Sequence, residues 1–257
     1  MDSLSIYAAR ASGLHKLNPV TKFSLTLFLL VLGLALPGMW TSYLILVLII
    51  VPLAIWGKVL DRLTRIVLTI SWPFILSVFI IQTLFWGKGT TLFEFGPFAP
   101  KLEGAIFAFT SSGRILLIMA DFILFSLATR PDTLMISLKQ AGLYPGMAYI
   151  IVTTLQLVPQ FAAKANAILN AQRARGLETQ GNILVRARAL LPLVMPLVIG
   201  SLMEVEERAI AIEARAFNSK HKETSLIEIP DSQVQRIVRI GMIVAALLAI
   251  VIRILWR

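Results

Sequence analysis

Five separate apolar runs constrain this chain more than any other feature of it. Residues 23–36, 43–56, 66–86, 104–128 and 237–256 are almost free of charge. An α-helix needs roughly 20 apolar residues to cross the hydrocarbon of a bilayer, where the backbone has no water to bond to. The last three runs reach that length. The first two are shorter, but their flanks lengthen them, and Pro37-Gly38 between them marks a tight turn, so they read as a helical hairpin with Trp40 at the interface. Composition agrees, with 57% of 257 residues hydrophobic and 15% charged, against about 45–50% and about 25% in ordinary soluble domains. The absence of cysteine and the isolation of His15 from His221 argue against thiol chemistry, disulfides and a Cys/His metal site. The start, Met1-Asp2-Ser3, lacks the basic region of a cleaved signal, and no removal of a leader is expected.

Between residues 129 and 236 helical periodicity continues, but Lys, Arg, Glu, Gln and Asn recur every few positions. This stretch reads as long amphipathic helices. One opens at Pro131, a second runs from about 146 to 175 with Pro159 inside, and a third from about 183 to 216 with Pro192 and Pro196 early in it. The expected layout is a leader with four transmembrane helices over 1–128, the amphipathic helices over 129–235 and a last transmembrane helix over 236–257. With the N-terminus inside, nineteen of the twenty-four Lys and Arg fall on the inner side and only Lys88, Lys101, Arg253 and Arg257 outside, with Arg114 inside a span. Inner loops of membrane proteins carry such an excess. A multi-pass protein of the cell (inner) membrane is expected, with a cytoplasmic N-terminus, an outer C-terminus and the amphipathic helices at the cytoplasmic face. The net charge of +10 is thereby a topology signal and gives no reason to expect nucleic acid as a partner.

A short repeat stands out in the polar stretch. Ala171-Gln172-Arg173-Ala174-Arg175-Gly176 ends one amphipathic helix and Ala211-Ile212-Glu213-Ala214-Arg215-Ala216 the next, both of the form Ala-x-x-Ala-Arg-small. An Arg at a helix end with Ala one and four residues before it is a planar charged fork on a bare stem, suited to two charge-assisted bonds with a carboxylate in a groove. Ordinary C-capping also explains each copy alone, because Arg favours the helix C-terminus and Gly the left-handed residue after it. Two copies forty residues apart point to a two-pronged docking element and so to a pair of similar partners.

The chain resembles the transmembrane T component of energy-coupling factor (ECF) importers of vitamins and metal ions. The resemblance rests on the leader Leu14-His15-Lys16-Leu17-Asn18-Pro19-Val20-Thr21-Lys22, on Leu155-Gln156-Leu157-Val158-Pro159 and on the two Ala-Arg signatures. The first signature, Ala174-Arg175-Gly176, matches the family pattern fully, whereas the second, Ala214-Arg215-Ala216, has Ala where Gly is usual. It implies an all-α membrane protein of about five transmembrane helices plus two long cytoplasmic coupling helices. It implies no catalytic residue and no cofactor of its own, ATP and Mg being bound by partners. Those partners are two ATP-binding-cassette ATPase subunits, A and A′, whose grooves receive Arg175 and Arg215, and one small membrane-embedded substrate-binding S component. Membrane lipid surrounds the whole. A conventional importer permease with its own translocation path is the alternative, but it usually carries one coupling loop per chain. An intramembrane enzyme needs clustered carboxylates or histidines, and at depth there are only Arg114 and Asp121.

Three further features carry alternatives. The alanines at 162, 163, 165, 167, 171 and 174 either let another helix cross closely or serve simply as good helix formers. Glu204, Glu206, Glu207, Arg208 and Glu213 form a charged run read as a solvated face, with Glu204 and Arg208 a favourable i,i+4 pair, or else as carboxylates for a partner's Arg. Arg114 and Asp121, two turns apart on one face, fit a structural pair or a contact with another subunit.

Overall fold

The computed structural model describes residues 12–86, 90, 101–177, 182–216 and 229–255. Arg10, Lys88, His221, Trp256 and Arg257 lie outside the described residues. Among the described residues the chain is helical throughout: α1 Gly13–Lys16, α2 Pro19–Ala35, α3 Thr41–Ile45, α4 Val51–Trp56, α5 Leu60–Phe85, α6 Leu102–Ala128, α7 Pro131–Gln140, α8 Pro145–Ala174, α9 Ile183–Ala214 and α10 Gln233–Leu255. It forms two compact units. One holds 2–142 and 229–257, the other 143–228.

The first unit is a membrane bundle. α5, α6 and α10 are each long and apolar enough to cross a bilayer, and α2 and the 41–56 rod form the shorter hairpin expected from sequence. α2 starts four residues before the apolar run, because Pro19 occupies its first turn and the Asn18 side chain accepts from the amide of Val20 at 2.9 Å. In the 41–56 rod, Pro52 has no N–H to return to the carbonyl of Leu48, and the chain widens into a π-helical turn over Leu46–Ile50. α6 is the central helix, with half of its most apolar stretch buried. Its Leu117, Leu124 and Leu127 pack with Leu29 of α2, Ile50 of the rod and Leu63 of α5. Gly104 admits α5 to backbone contact, since a Cβ there would lie 2.3 Å from the Gln82 carbonyl oxygen. Outward faces stay apolar and exposed, as at Leu68 and Trp72 of α5 and Ile243 and Leu247 of α10, a surface for lipid and not for water.

The leader motif ties this bundle together. Lys22 is 6% exposed and donates to the carbonyls of His15 at 3.2 Å and Ala128 at 2.8 Å. Ala128 is the last residue of α6, so a buried ammonium sits on the negative end of the central helix. Asn18 N and Thr21 Oγ1 donate to Gln235 Oε1 at 2.9 and 3.2 Å, fastening α10 to the start of α2.

The second unit consists of α8 and α9, of 30 and 32 residues. α8 has two characters. Its apolar first half makes Gly146–Ala174 long and apolar enough to cross a membrane by length and composition. Its second half carries Lys164, Asn166, Asn170, Gln172 and Arg173, the polar positions that make it amphipathic.

Candidate functional site

Both copies of the repeat end a helix in the same way. α8 stops at Ala174, and Arg175 follows as its C-cap. Gly176 takes φ +88°, its amide donates to Arg173 O at 3.0 Å, and the Leu177 amide donates to Gln172 O at 3.0 Å. These two bonds around a left-handed residue form the Schellman stop, which satisfies carbonyls left over at a helix end. α9 stops at Ala214, and beyond Arg215 the residue Ala216 takes φ +53° with its amide on Glu213 O at 2.9 Å. The second signature therefore makes the same left-handed turn without the glycine, at a backbone cost of about 1–2 kcal/mol.

Each turn leaves its arginine on the outside. Arg175 and Arg215 are exposed, and among the described residues neither guanidinium has an ion-pair or hydrogen-bond partner. Ala171, Ala174, Ala211 and Ala214 around them are exposed as well, so nothing bulky of this chain shields either fork.

What joins the two helices is a charge cluster that the sequence reading missed. Lys164 Nζ of α8 donates to Glu204 Oε2 of α9. Arg208 Nη2 donates to Glu204 Oε1 at 2.6 Å and, across the helices, to Gln160 Oε1 at 2.8 Å. The expected i,i+4 pair of Glu204 and Arg208 is present, but Glu204 serves as an internal link between two cations of its own chain. The hydrogen bond from Lys164, reinforced by the charge of Arg208, holds the Glu204 carboxyl below the ordinary glutamate range. No local signal identifies Lys164 as its partner, forty residues away. Glu206, Glu207 and Glu213 stay exposed, and so do Ala162, Ala163 and Ala167.

Arg114 and Asp121 part company. Asp121 is 3% exposed and lines a small cavity together with Thr26 of α2. Arg114 lines a separate cavity together with Leu34 and Arg253. No ion pair among the described residues joins them. The reason is α2, which runs antiparallel along this face of α6 and supplies Thr26 beside one residue and Leu34 beside the other.

An all-α membrane bundle, continued in sequence into two long linked helices with matching arginine-tipped ends, defines an all-α integral membrane protein. Comparison with known proteins gives the particular family. Residues 10–226 match the CbiQ family, described as cobalt transport protein. The energy-coupling factor transporter transmembrane protein EcfT of Bacillus subtilis is 27% identical over 265 residues, covering 98% of this chain and 99% of that one. EcfT of Limosilactobacillus fermentum is 28% identical over 262 residues, covering 95% and 94%. EcfT of Exiguobacterium sibiricum is 34% identical over 163 residues, covering 60% and 62%. The chain belongs to the CbiQ family and is a transmembrane T component of the energy-coupling factor type.

Proposed function

We infer that this T component couples ATP hydrolysis in two cassette ATPases to the reorientation of a substrate-binding membrane subunit, in the import of a vitamin, a vitamin precursor or a metal ion. Arg175 and Arg215 dock in acidic grooves of the two ATPases, with Ala174, Gly176, Ala214 and Ala216 keeping the approach clear. One observation carries this reading: two helix ends forty residues apart make the same left-handed turn and present, one residue before it, an exposed guanidinium without a partner among the described residues. ATP draws the ATPases together, the docked ends move with them, and α8 and α9, linked at Lys164 and Glu204, carry that motion to the substrate-binding subunit. The chain performs no catalysis in this scheme, and ATP and Mg stay with its partners. Its Lys and Arg distribution favours the cell membrane with the N-terminus and the linked helices on the cytoplasmic side.

The test is charge reversal at the forks. Removing one partner of a desolvated ion pair costs roughly 3–5 kcal/mol. Arg175→Glu and Arg215→Glu each weaken co-purification of the ATPases and stop uptake, and the double variant loses the ATPases altogether. Unchanged co-purification and transport in the double variant refutes the docking role.

A further inference from the structure

The membrane bundle holds a cavity of about 450 Å³ that the coupling scheme does not use. Its walls are the C-terminal end of α2 at Leu34 and Leu36, the last turns of α10 at Ala249 and Ile252, and two arginines, Arg114 and Arg253. No Asp or Glu among the described residues lines it. Arg253 donates to the carbonyl of Leu34, one of the orphan acceptors at the α2 terminus, which leaves it further N–H donors. Arg114, partly buried, has no ion-pair or hydrogen-bond partner among the described residues. Among the described residues, two like charges thus share one cavity with no carboxylate beside them, although an arginine at membrane depth ordinarily faces a counter-charge or water.

The depth of the cavity narrows what fills it. Trp40, Tyr43 and Phe109 cluster at one end of the bundle, with ring centroids 5.2 Å apart for the edge-on Trp40–Phe109 pair and 4.7 Å for the tilted Tyr43–Phe109 pair. Trp86 and Phe107 pair beside them at 4.8 Å. Such a girdle marks a membrane interface at headgroup level. Arg114 lies five residues beyond Phe109 along α6, about 7.5 Å deeper at the rise of a helix. Its side chain leans toward the helix N-terminus, back to the girdle, and the cavity it lines also includes Pro37, three residues before Trp40. The two guanidinium groups therefore stand near headgroup level, where a leaflet carries its phosphates, and such forks bind phosphate through paired charge-assisted bonds. The apolar walls at Leu34, Leu36, Ala249 and Ile252 suit an acyl chain.

We propose that Arg114 and Arg253 form a binding site for the phosphate of an anionic phospholipid, seated between the ends of α2 and α10 beside the aromatic girdle. The full chain is reconstituted in nanodiscs of equal parts phosphatidylglycerol and a phosphate-free diglucosyl diacylglycerol, then released into a native mass spectrometer. The wild type retains one phosphatidylglycerol in preference to the glycolipid, and Arg253→Gln and Arg114→Gln each lower that retention on the order of tenfold or more. Arg253 lies on the exposed last turn of α10, so its variant decides the matter should Arg114→Gln fail to fold. Equal retention by wild type and Arg253→Gln overturns the proposal. Inorganic phosphate is the second arm: if it displaces the lipid, or binds the chain in glycolipid nanodiscs, the site serves a free anion and the lipid assignment falls. Retention that vanishes when the chain is purified with its partner subunits assigns the arginines to a partner's carboxylate and overturns the proposal equally.

Discussion

The two helix ends make a reciprocal experiment possible, because they share one backbone turn and differ in the residue that makes it. Gly176 sits at φ +88°, with nothing within 4 Å of where a Cβ would stand. Replacing it by Ala adds no clash, so its whole effect is the backbone cost of a Cβ in the left-handed region, about 1–2 kcal/mol, less the roughly 0.5–1 kcal/mol by which Ala restricts the unfolded chain. Gly176→Ala thus weakens the α8 stop by about 1 kcal/mol. Ala216, at φ +53°, reverses the sum, and Ala216→Gly strengthens the α9 stop by a similar amount. One kcal/mol is about a fivefold change in a local opening equilibrium. Hydrogen exchange followed by mass spectrometry on the full chain reads that opening directly. Exchange of the Gly176 and Leu177 amides, held by Arg173 and Gln172 carbonyls, rises about fivefold in Gly176→Ala, and exchange of the Ala216 amide falls about fivefold in Ala216→Gly. Both variants keep their arginine, so uptake tracks the firmness of the turn and not the charge. Exchange moving in the same direction in both variants would refute the reasoning.

Three further outcomes follow from the packing. Lys22→Met leaves the carbonyls of His15 and Ala128 without their shared donor; at roughly 1.5–3 kcal/mol for a hydrogen bond to a charged group, partly offset by no longer burying an ammonium, the thermal midpoint in detergent drops by several degrees, and an unchanged midpoint sinks the capping role. Gly104→Ala drives a Cβ to 2.3 Å from the Gln82 carbonyl, which forces α5 from α6 and costs about 1–3 kcal/mol, read as a lower yield of monodisperse protein. The Glu204 link depends on pH with a definite sign. A carboxyl whose folded pKa lies below its unfolded value stabilises the fold above the ordinary glutamate range and loses that contribution as pH falls through the lowered value. Because the chain has no cysteine, spin labels on Ala171→Cys and Ala211→Cys report the separation of α8 and α9 cleanly. Their distance distribution is narrow near pH 7 and broadens only once the pH has fallen through the lowered value of the Glu204 carboxyl, while Glu204→Gln is broad throughout; a Glu204→Gln distribution as narrow as that of wild type at neutral pH counts against the link.

What was legible in the sequence was whatever rests on local chemistry. Apolar runs gave the spans, and Ala-Arg followed by a small residue gave both helix stops. The Asn18-Pro19 pair already carried the early start of α2, a cap followed by a proline in the first turn. Contacts between distant residues were not legible. Arg114 and Asp121 share a face of α6 by spacing, yet spacing says nothing of the helix laid against that face, and α2 gives each a different neighbour. Lys22 read as one more inner-side cation until the fold brought Ala128 to it. The charged run around Glu204 read as a solvated face because its second cation lies on another helix.

That second cation also fixes a register. Lys164 and Glu204 are forty residues apart, and so are Arg175 and Arg215. Each guanidinium therefore lies eleven residues beyond the link on its own helix, about 16 Å at 1.5 Å per residue. Sliding one helix along the other by a single turn, about 5.4 Å, separates Lys164 from Glu204 and Arg208 from Gln160 together, whereas a small rotation about the link is taken up by the long Lys164 and Arg208 side chains. The cluster thus resists slippage and permits pivoting. Under the proposed docking, two partners that approach symmetrically act on arms of equal length about one point, and the motion of each tip reaches the other helix as rotation without loss to sliding. Such a pivot requires its charges on opposite helices. An i,i+4 pair confined to α9, such as Glu204 with Arg208 alone, stiffens that helix and transmits nothing across, so Lys164 and Gln160 on α8 are the residues that turn a solvated charge run into a joint.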